Sequence, residues 1–304
     1  MIIRNRVPIP TALLACVALL GAFTASDLGA QNTDDLGWKS IFDGKTMNGW
    51  YTYQNQAGKN ADNGVFKIEN GAFHILDLPE GTTGVENNGC LLTNDEYSHV
   101  RLRAQYKWGT KQFARAGRAG APAPTGPRKR DAGLLYYYFG EDRIWGNNME
   151  LQIQEGDTGD MWVNGNISFV TNVVNPQAPA PLLWALTGGS PATIVGNLNP
   201  PPKNPPPPPS GGGRANEYRR VLKYPDWEDT STWNTVEAVL DGQHIQHFVN
   251  GHLVLDGRDA KRRDPNNPEK WIPLTTGKVC LEAEGAEVWY RNIQIKPITK
   301  GSTK

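Results

Sequence analysis

HIQHFV-NG-HLVL, residues 244–255, is the stretch that decides the fold. Two runs of strand length flank Asn250-Gly251, and both residues of a tight hairpin turn need positive φ, which Asn and Gly tolerate best. VFKIE-NG-AFHIL, residues 65–76, repeats the arrangement around Asn70-Gly71. Working outward, the same period of two recurs. Val100, Leu102, Ala104, Tyr106 and Trp108 interleave with Arg101, Arg103, Gln105 and Lys107. Met149, Leu151 and Ile153 interleave with Glu150, Gln152 and Gln154, and Val279, Leu281 and Ala283 with Cys280, Glu282 and Glu284. Alternation of this kind predicts half-buried strands with one apolar and one polar face. No amphipathic helix longer than about three turns is found. The chain reads as all-β and mainly antiparallel, a single two-sheet sandwich over residues 36–299.

Two stretches interrupt the strand pattern. The first, near 109–130, carries the basic residues Lys111, Arg115, Arg118, Arg128, Lys129 and Arg130 in an Ala/Gly/Pro-rich filling with no acid. The second, near 175–216, holds the run Pro205 to Pro209 followed by Gly211 to Gly213. Twelve of the 23 prolines lie between Pro176 and Pro209, so the proline excess describes this excursion and not the fold. Stiff polyproline followed by flexible glycine is expected on the surface.

The 304 residues carry 31 Lys+Arg against 31 Asp+Glu. A chain with no net charge has no global field for nucleic acid or an anionic membrane, so neither is expected as a partner. Arg4 and Arg6 precede the apolar run Ala12 to Phe23, and Leu28-Gly29-Ala30 offers small residues after it. This is the layout of an export signal over residues 1–30, removed near Ala30, with the mature protein periplasmic or secreted. The run is too short to span a bilayer comfortably. Leu13-Leu14-Ala15-Cys16 is a loose lipid-attachment sequence, disfavoured because the apolar run continues past Cys16. Past the signal stand Cys90 and Cys280, which either form one bridge or remain two buried thiols.

The residues richest in chemistry lie in GEDRIWGNNMELQIQEGDTGDMW, residues 140–162. Strand geometry puts Glu150, Gln152 and Gln154 on one face at steps of about 6–7 Å. A carboxylate beside amides suits hydroxyl groups, since each amide donates and accepts, and Asn148 adds another amide. Trp145 offers an aromatic plane for a sugar. The bland alternative is a solvent-facing strand followed by an acidic turn. That turn, with Glu155, Asp157 and Asp160, gathers hard oxygen ligands of the kind that hold a divalent cation such as calcium. Near the C-terminus Glu282 and Glu284 share a face, and Gly285 allows a turn or bulge. Arg291 is suited to an ion pair or to polarising a substrate oxygen. His244 and His247 fall on opposite strand faces, and no zinc-hydrolase, serine-esterase or phosphate-loop motif is present.

WKSIFDGKTMNGW, MELQIQEGDTGDMW, WNTVEAVLDGQHIQHFVNG and LEAEGAEVWYRNIQIKPI, in this order from Trp38 to Ile298, resemble the 3-keto-disaccharide hydrolase domain family. The resemblance implies a concanavalin-like jelly-roll sandwich acting on glycosides whose C3 hydroxyl has been oxidised to a ketone. By motif, Glu150 and Gln152 match the family's Glu-x-Gln strand, and Arg291-Asn292-Ile293 its closing Arg-Asn-Ile. The family's Gln-Asp-His-Gly reads Glu282-Ala283-Glu284-Gly285 here, which leaves this chain without the family's histidine. A C3 ketone acidifies the C2 proton, so such chemistry needs a base, an enolate stabiliser and a proton donor. The roles expected are Glu150 as base, Arg143 or Arg291 on the enolate, and Glu284 or Glu155 as acid, with Gln152, Gln154, Trp145, Asn148 and Glu282 binding the sugar. Two rival readings follow from the same residues. Glu150, Gln152 and Glu155 at i, i+2 and i+5 resemble the Glu-x-Asp-x-x-Glu strand of jelly-roll retaining endo-glucanases, with Gln152 in place of the Asp. A carbohydrate-binding module would use the same face without turnover.

Overall fold

The computed structural model describes residues 37–54, 56–79, 88–113, 129–173, 192–195, 220–221 and 226–299. Both Asn-Gly pairs turn as their sequence demands: φ is 51° and 77° at Asn70-Gly71 and 48° and 82° at Asn250-Gly251. They close the hairpins of β4 (Phe66–Glu69) with β5 (Ala72–Ile75) and of β15 (His244–Val249) with β16 (His252–Asp264).

These hairpins belong to the larger of two antiparallel sheets. Its order is β12 (Ala192–Val195), β11 (Ile167–Val173), β16, β15, β14 (Asn234–Asp241), β7 (Val100–Gln112), β19 (Ala286–Pro297), β5 and β4. β1 (Lys39–Ser40) pairs with β19, and β17 (Asn267–Pro273) with β16. The smaller sheet runs β13 (Arg220–Val221), β10 (Met161–Asn164), β9 (Asn147–Gln154), β8 (Asp131–Phe139), β18 (Gly277–Ala283), β6 (Gly89–Tyr97), β2 (Trp50–Gln54) and β3 (Gly58–Lys59). No helix occurs among the described residues, and none there is long and apolar enough to cross a membrane. The fold is the all-β, two-sheet jelly-roll sandwich expected.

One hydrophobic core fills the space between the sheets. Leu102, Ala104 and Tyr106 of β7, Val236, Ala238 and Leu240 of β14, and Val288 and Tyr290 of β19 meet Met149, Leu151 and Ile153 of β9 and Val279 and Leu281 of β18. These are the apolar positions of the alternating runs, buried as the period of two requires. His247 joins this core: its Nδ1–H donates to the Gly159 carbonyl at 3.1 Å, and its Nε2 accepts from the Tyr136 hydroxyl at 2.7 Å. Burial lowers its pKa to about 4, so it sits neutral inside the protein.

The alternation is misleading at one place. On β9 and β18 the polar positions are buried as well: Glu150 and Gln152 are 4 % exposed and Glu282 0 %. The first insertion begins later than expected, since β7 continues to Gln112, and β12 within the second adds a strand to the large sheet. The leader over 1–30 and Cys16 lie outside the described residues, as do 114–128, 174–191 and 196–219 within or beside the insertions.

Candidate functional site

Strand register assembles the site on the face of the small sheet turned away from the core. Gly133 of β8 stands opposite Gln152 of β9, and Leu135 opposite Glu150. On the other side of β8, Leu134 pairs with Leu281 and Leu135 with Cys280, which brings Glu282 level with Gly133. Gln152, Gly133 and Glu282 thus form one cross-strand row, continued by Cys90 of β6 and Tyr53 of β2. Trp162 of β10, Glu150, Leu135, Cys280 and Leu92 form the next.

Glycine at 133 leaves a gap between two acids. A methyl group there would lie 2.9 Å from Oε1 of Glu150, 2.9 Å from Oε2 of Glu282 and 2.7 Å from Cδ1 of Leu135. The two carboxyl oxygens are therefore no farther apart than the sum of the first two distances. From beneath, the Tyr290 hydroxyl of the opposite sheet donates to the Gly133 carbonyl at 3.4 Å.

The two acids have different surroundings. The Asn164 amide donates to Oε2 of Glu150 at 3.2 Å and to Oδ1 of Asn148 at 3.0 Å, which fixes the Glu150 carboxyl and turns Oε1 toward the gap. Asn148 in turn donates to the Gly146 carbonyl at 2.9 Å. Glu282 is fully buried, and neither of its oxygens has a hydrogen-bond partner. Burial pushes its carboxyl well above the usual carboxylate range, and the negative charges of Glu284 and Glu150 push it further. Gln152 donates to Asp131 at 3.1 Å, as Gln154 does at 2.7 Å, while the carbonyl oxygen of Gln152 is buried without a donor.

Several expected members stand elsewhere. Arg291 lies on the outer face of the large sheet, over the Trp233 ring at 3.9 Å and donating to Gln105 at 3.0 Å, so the sandwich separates it from Glu150. Arg143 contributes its backbone: its carbonyl accepts the Tyr138 hydroxyl at 2.6 Å, while its half-exposed guanidinium lies 3.7 Å from Glu141. Trp145 is 44 % exposed in the same loop, at φ 53°. Glu155 follows the end of β9, and the Arg130 guanidinium beside it holds its carboxyl below the usual range, so it is a charged surface partner and not an acid. Asp157 pairs with Lys129. Glu155, Asp157 and Asp160 therefore do not converge, and among the described residues the cation-compatible trio is instead Glu69, His74 and Asp77. Glu284 is only half-buried, one step past β18.

The two cysteines are free and buried, resolving that alternative. They sit diagonally, Cys90 opposite Glu282 and Cys280 opposite Leu92, in a patch with Tyr51, Leu135 and Tyr138. The loop before β9 closes over this patch, with Asp142 accepting the Tyr51 hydroxyl at 2.7 Å.

A family model for the 3-keto-alpha-glucoside-1,2-lyase-like domain matches residues 37–296. The chain belongs to this family. No curated protein matches it. Among solved structures, a candidate glycosyl hydrolase from Parabacteroides distasonis is 15 % identical, with 87 % of this chain and 95 % of that one covered at a TM-score of 0.44. The carbohydrate-binding module CBM66 from Bacillus subtilis is 10 % identical, over 82 % and 95 %, at 0.39. A β-glucanase from Bacillus licheniformis is 12 % identical, over 88 % and 95 %, at 0.38.

For this member of the lyase-like family, sequence reasoning missed Gly133, Asn164, Asp131 and Trp162. Each lies on a strand next to β9, and only register could bring it there. His74 bridges Glu69 and Glu287 and stacks on Trp289.

Proposed function

We propose that the protein is an exported enzyme that cleaves glycosides carrying a ketone at C3. The observation that carries this reading is Glu150: buried, held by Asn164, with one oxygen aimed at the gap over Gly133. A ketone at C3 acidifies the neighbouring C2–H, so a positioned carboxylate suffices as base. Oε1 of Glu150 takes the C2 proton, and the C–H pair moves into an enolate on the C3 oxygen. When the enolate re-forms the ketone, a C1=C2 double bond appears and the C1–O bond breaks toward the aglycone. Water then adds at C1, giving the free 3-keto sugar. Trp162, beside Glu150 in register, supplies the aromatic surface a sugar ring stacks on.

Glu150→Gln keeps the shape and removes the base. With a 3-keto-glucoside, kcat is expected to fall about 10³-fold while binding, followed by calorimetry, survives. Retained turnover removes Glu150 from the mechanism, and weaker binding by a protein that never turns over any 3-keto-glycoside means a binding module.

A second reading has one observation in its favour. The approach of Glu150 and Glu282 across Gly133 also suits the carboxyl pair of a retaining glycosidase, about 5–5.5 Å apart. Cleavage of unoxidised β-glucan, with no action on the 3-keto sugar, would decide for it.

A further inference from the structure

Glu282 has no part in the reaction as drawn, yet it is the least satisfied acid among the described residues. It is fully buried, and both of its oxygens lack a donor. The groups facing it bring no relief: Glu284 lies one step past the end of its strand, and Glu150, Cys90, Asp131 and Tyr290 act on it from β9, β6, β8 and β19. Lys278, four residues back on the same strand face, donates to the Tyr51 hydroxyl at 2.8 Å. A carboxylate so placed takes up a proton in preference to remaining charged without a donor. Glu150, by contrast, does have a donor in Asn164.

Geometry adds the second half of the argument. Both acids reach the same gap over Gly133, each 2.9 Å from one point in it. Elimination needs a base at C2 and an acid at the oxygen on C1, substituents of adjacent carbons, and so needs two groups that meet over one small volume.

We infer that Glu282 is the proton-carrying partner of Glu150 and the general acid of the reaction. This role rests on the function proposed above. As the C1–O bond breaks, its electron pair stays on the aglycone oxygen, which takes the proton of Glu282. Glu150 has by then taken the C2 proton, so the pair still holds one proton, now on the other residue. Hydration reverses the transfer: Glu282 removes a proton from the water adding at C1, and Glu150 returns its proton to C2. One turnover consumes one water and restores both carboxyls.

The full chain is to be tested with two 3-keto-glucosides, one with a nitrophenyl aglycone and one with methyl. An aryl oxide leaves without protonation and an alkoxide does not, so Glu282→Gln should lose about 100-fold or more on the methyl compound and less than about tenfold on the nitrophenyl one. Glu150→Gln should lose on both. The alkaline limb of the wild-type pH profile should vanish in Glu282→Gln assayed with the nitrophenyl compound. Equal loss on both substrates, or none on either, overturns the acid role.

Infrared difference spectra of the ligand-free protein give a readout that does not depend on activity. The C=O stretch of a neutral carboxylic acid should be present at pH 7 in the wild type and in Glu150→Gln and absent in Glu282→Gln. Its absence from the wild type overturns the proposal, as does a band that appears only after chelation, which would place a cation between the carboxyls. Should the wild type turn over no 3-keto-glycoside, the proposed function falls and the acid role with it, while the band still decides whether Glu282 is neutral.

Discussion

Glu282 and Glu287 are five residues apart, on consecutive strands, and both are buried, yet they are treated in opposite ways. Glu287, on the large sheet, accepts from His74 at 2.7 Å and from the backbone N–H groups of Thr110 and Lys111 at 2.8 and 3.0 Å. Burial alone would raise its carboxyl, but the His74 bond and those two N–H groups outweigh it and hold the carboxyl below its ordinary value. Glu282, on the small sheet, has no donor and is pushed the other way. The contrast extends to the sheets. On the outer face of the large one, Arg103 lies over Trp38, Arg291 over Trp233, and His74 against Trp289. The cations there are stacked on aromatic rings, as in a structural surface. The small sheet buries Glu282 with no donor on either oxygen. An unsatisfied buried group destabilises the fold, so its retention points to chemistry.

Four measurements would sharpen or break this contrast. The largest effect is expected from Gly133→Ala. Its methyl would sit 2.9 Å from both acids, so turnover should fall at least about 100-fold and stability by about 1–3 kcal/mol from overpacking. Full activity would mean that the gap is not where substrate sits.

Next comes denaturant unfolding at pH 7 of the two conservative variants. Glu287→Gln should lose about 2 kcal/mol, because its charge-assisted bonds go. Glu282→Gln should be neutral or stabilising. The reverse order would break the comparison.

Melting temperature against pH should then show opposite slopes. Glu287, with its folded pKa depressed, contributes stability that is present above its unfolded value of about 4.3 and lost as pH falls through the folded value. Glu282, with its folded pKa raised, contributes stability that is full below about 4.3 and lost as pH rises toward the folded value. Each variant should therefore remove one slope. His247 adds a loss of stability as pH falls from about 6.5 to about 4, since only the unfolded chain is protonated in that window.

The smallest effect is expected for Arg291→Ala. Turnover should stay within about twofold and stability drop by no more than about 1 kcal/mol, the worth of an exposed cation–aromatic contact. A large loss of turnover would place the large sheet's outer face in the reaction after all.

Much of the fold was legible because its signals are local. A hairpin turn needs two residues that tolerate positive φ, and Asn70-Gly71 and Asn250-Gly251 provide them whatever surrounds them. The apolar positions of β7, β9 and β18 repeat at the strand period, so the core could be named almost residue by residue. Of the site, Glu150, Gln152 and Asn148 were legible from one strand, and Glu282 only as a residue of ordinary binding character. Arg291 stands away from Glu150 because reach along the sequence is no guide to which side of a sandwich a side chain faces. Arg291 follows Glu282 by nine residues, yet the turn at Gly285 carries the chain into the other sheet.

By itself, then, the sequence determined the strands, their turns, the buried apolar set and the family, all properties of short segments and their order. Only the tertiary structure decided which acid meets Glu150. Register across β9, β8 and β18 sets residue 282 level with residue 133 and residue 150 in the adjoining row, and no local pattern encodes a contact between strands so far apart in the chain. It also decided that the polar edge of these strands is buried, because burial depends on what the rest of the chain packs around them. A carboxyl's proton follows from that burial and from its missing donor, and both belong to the fold.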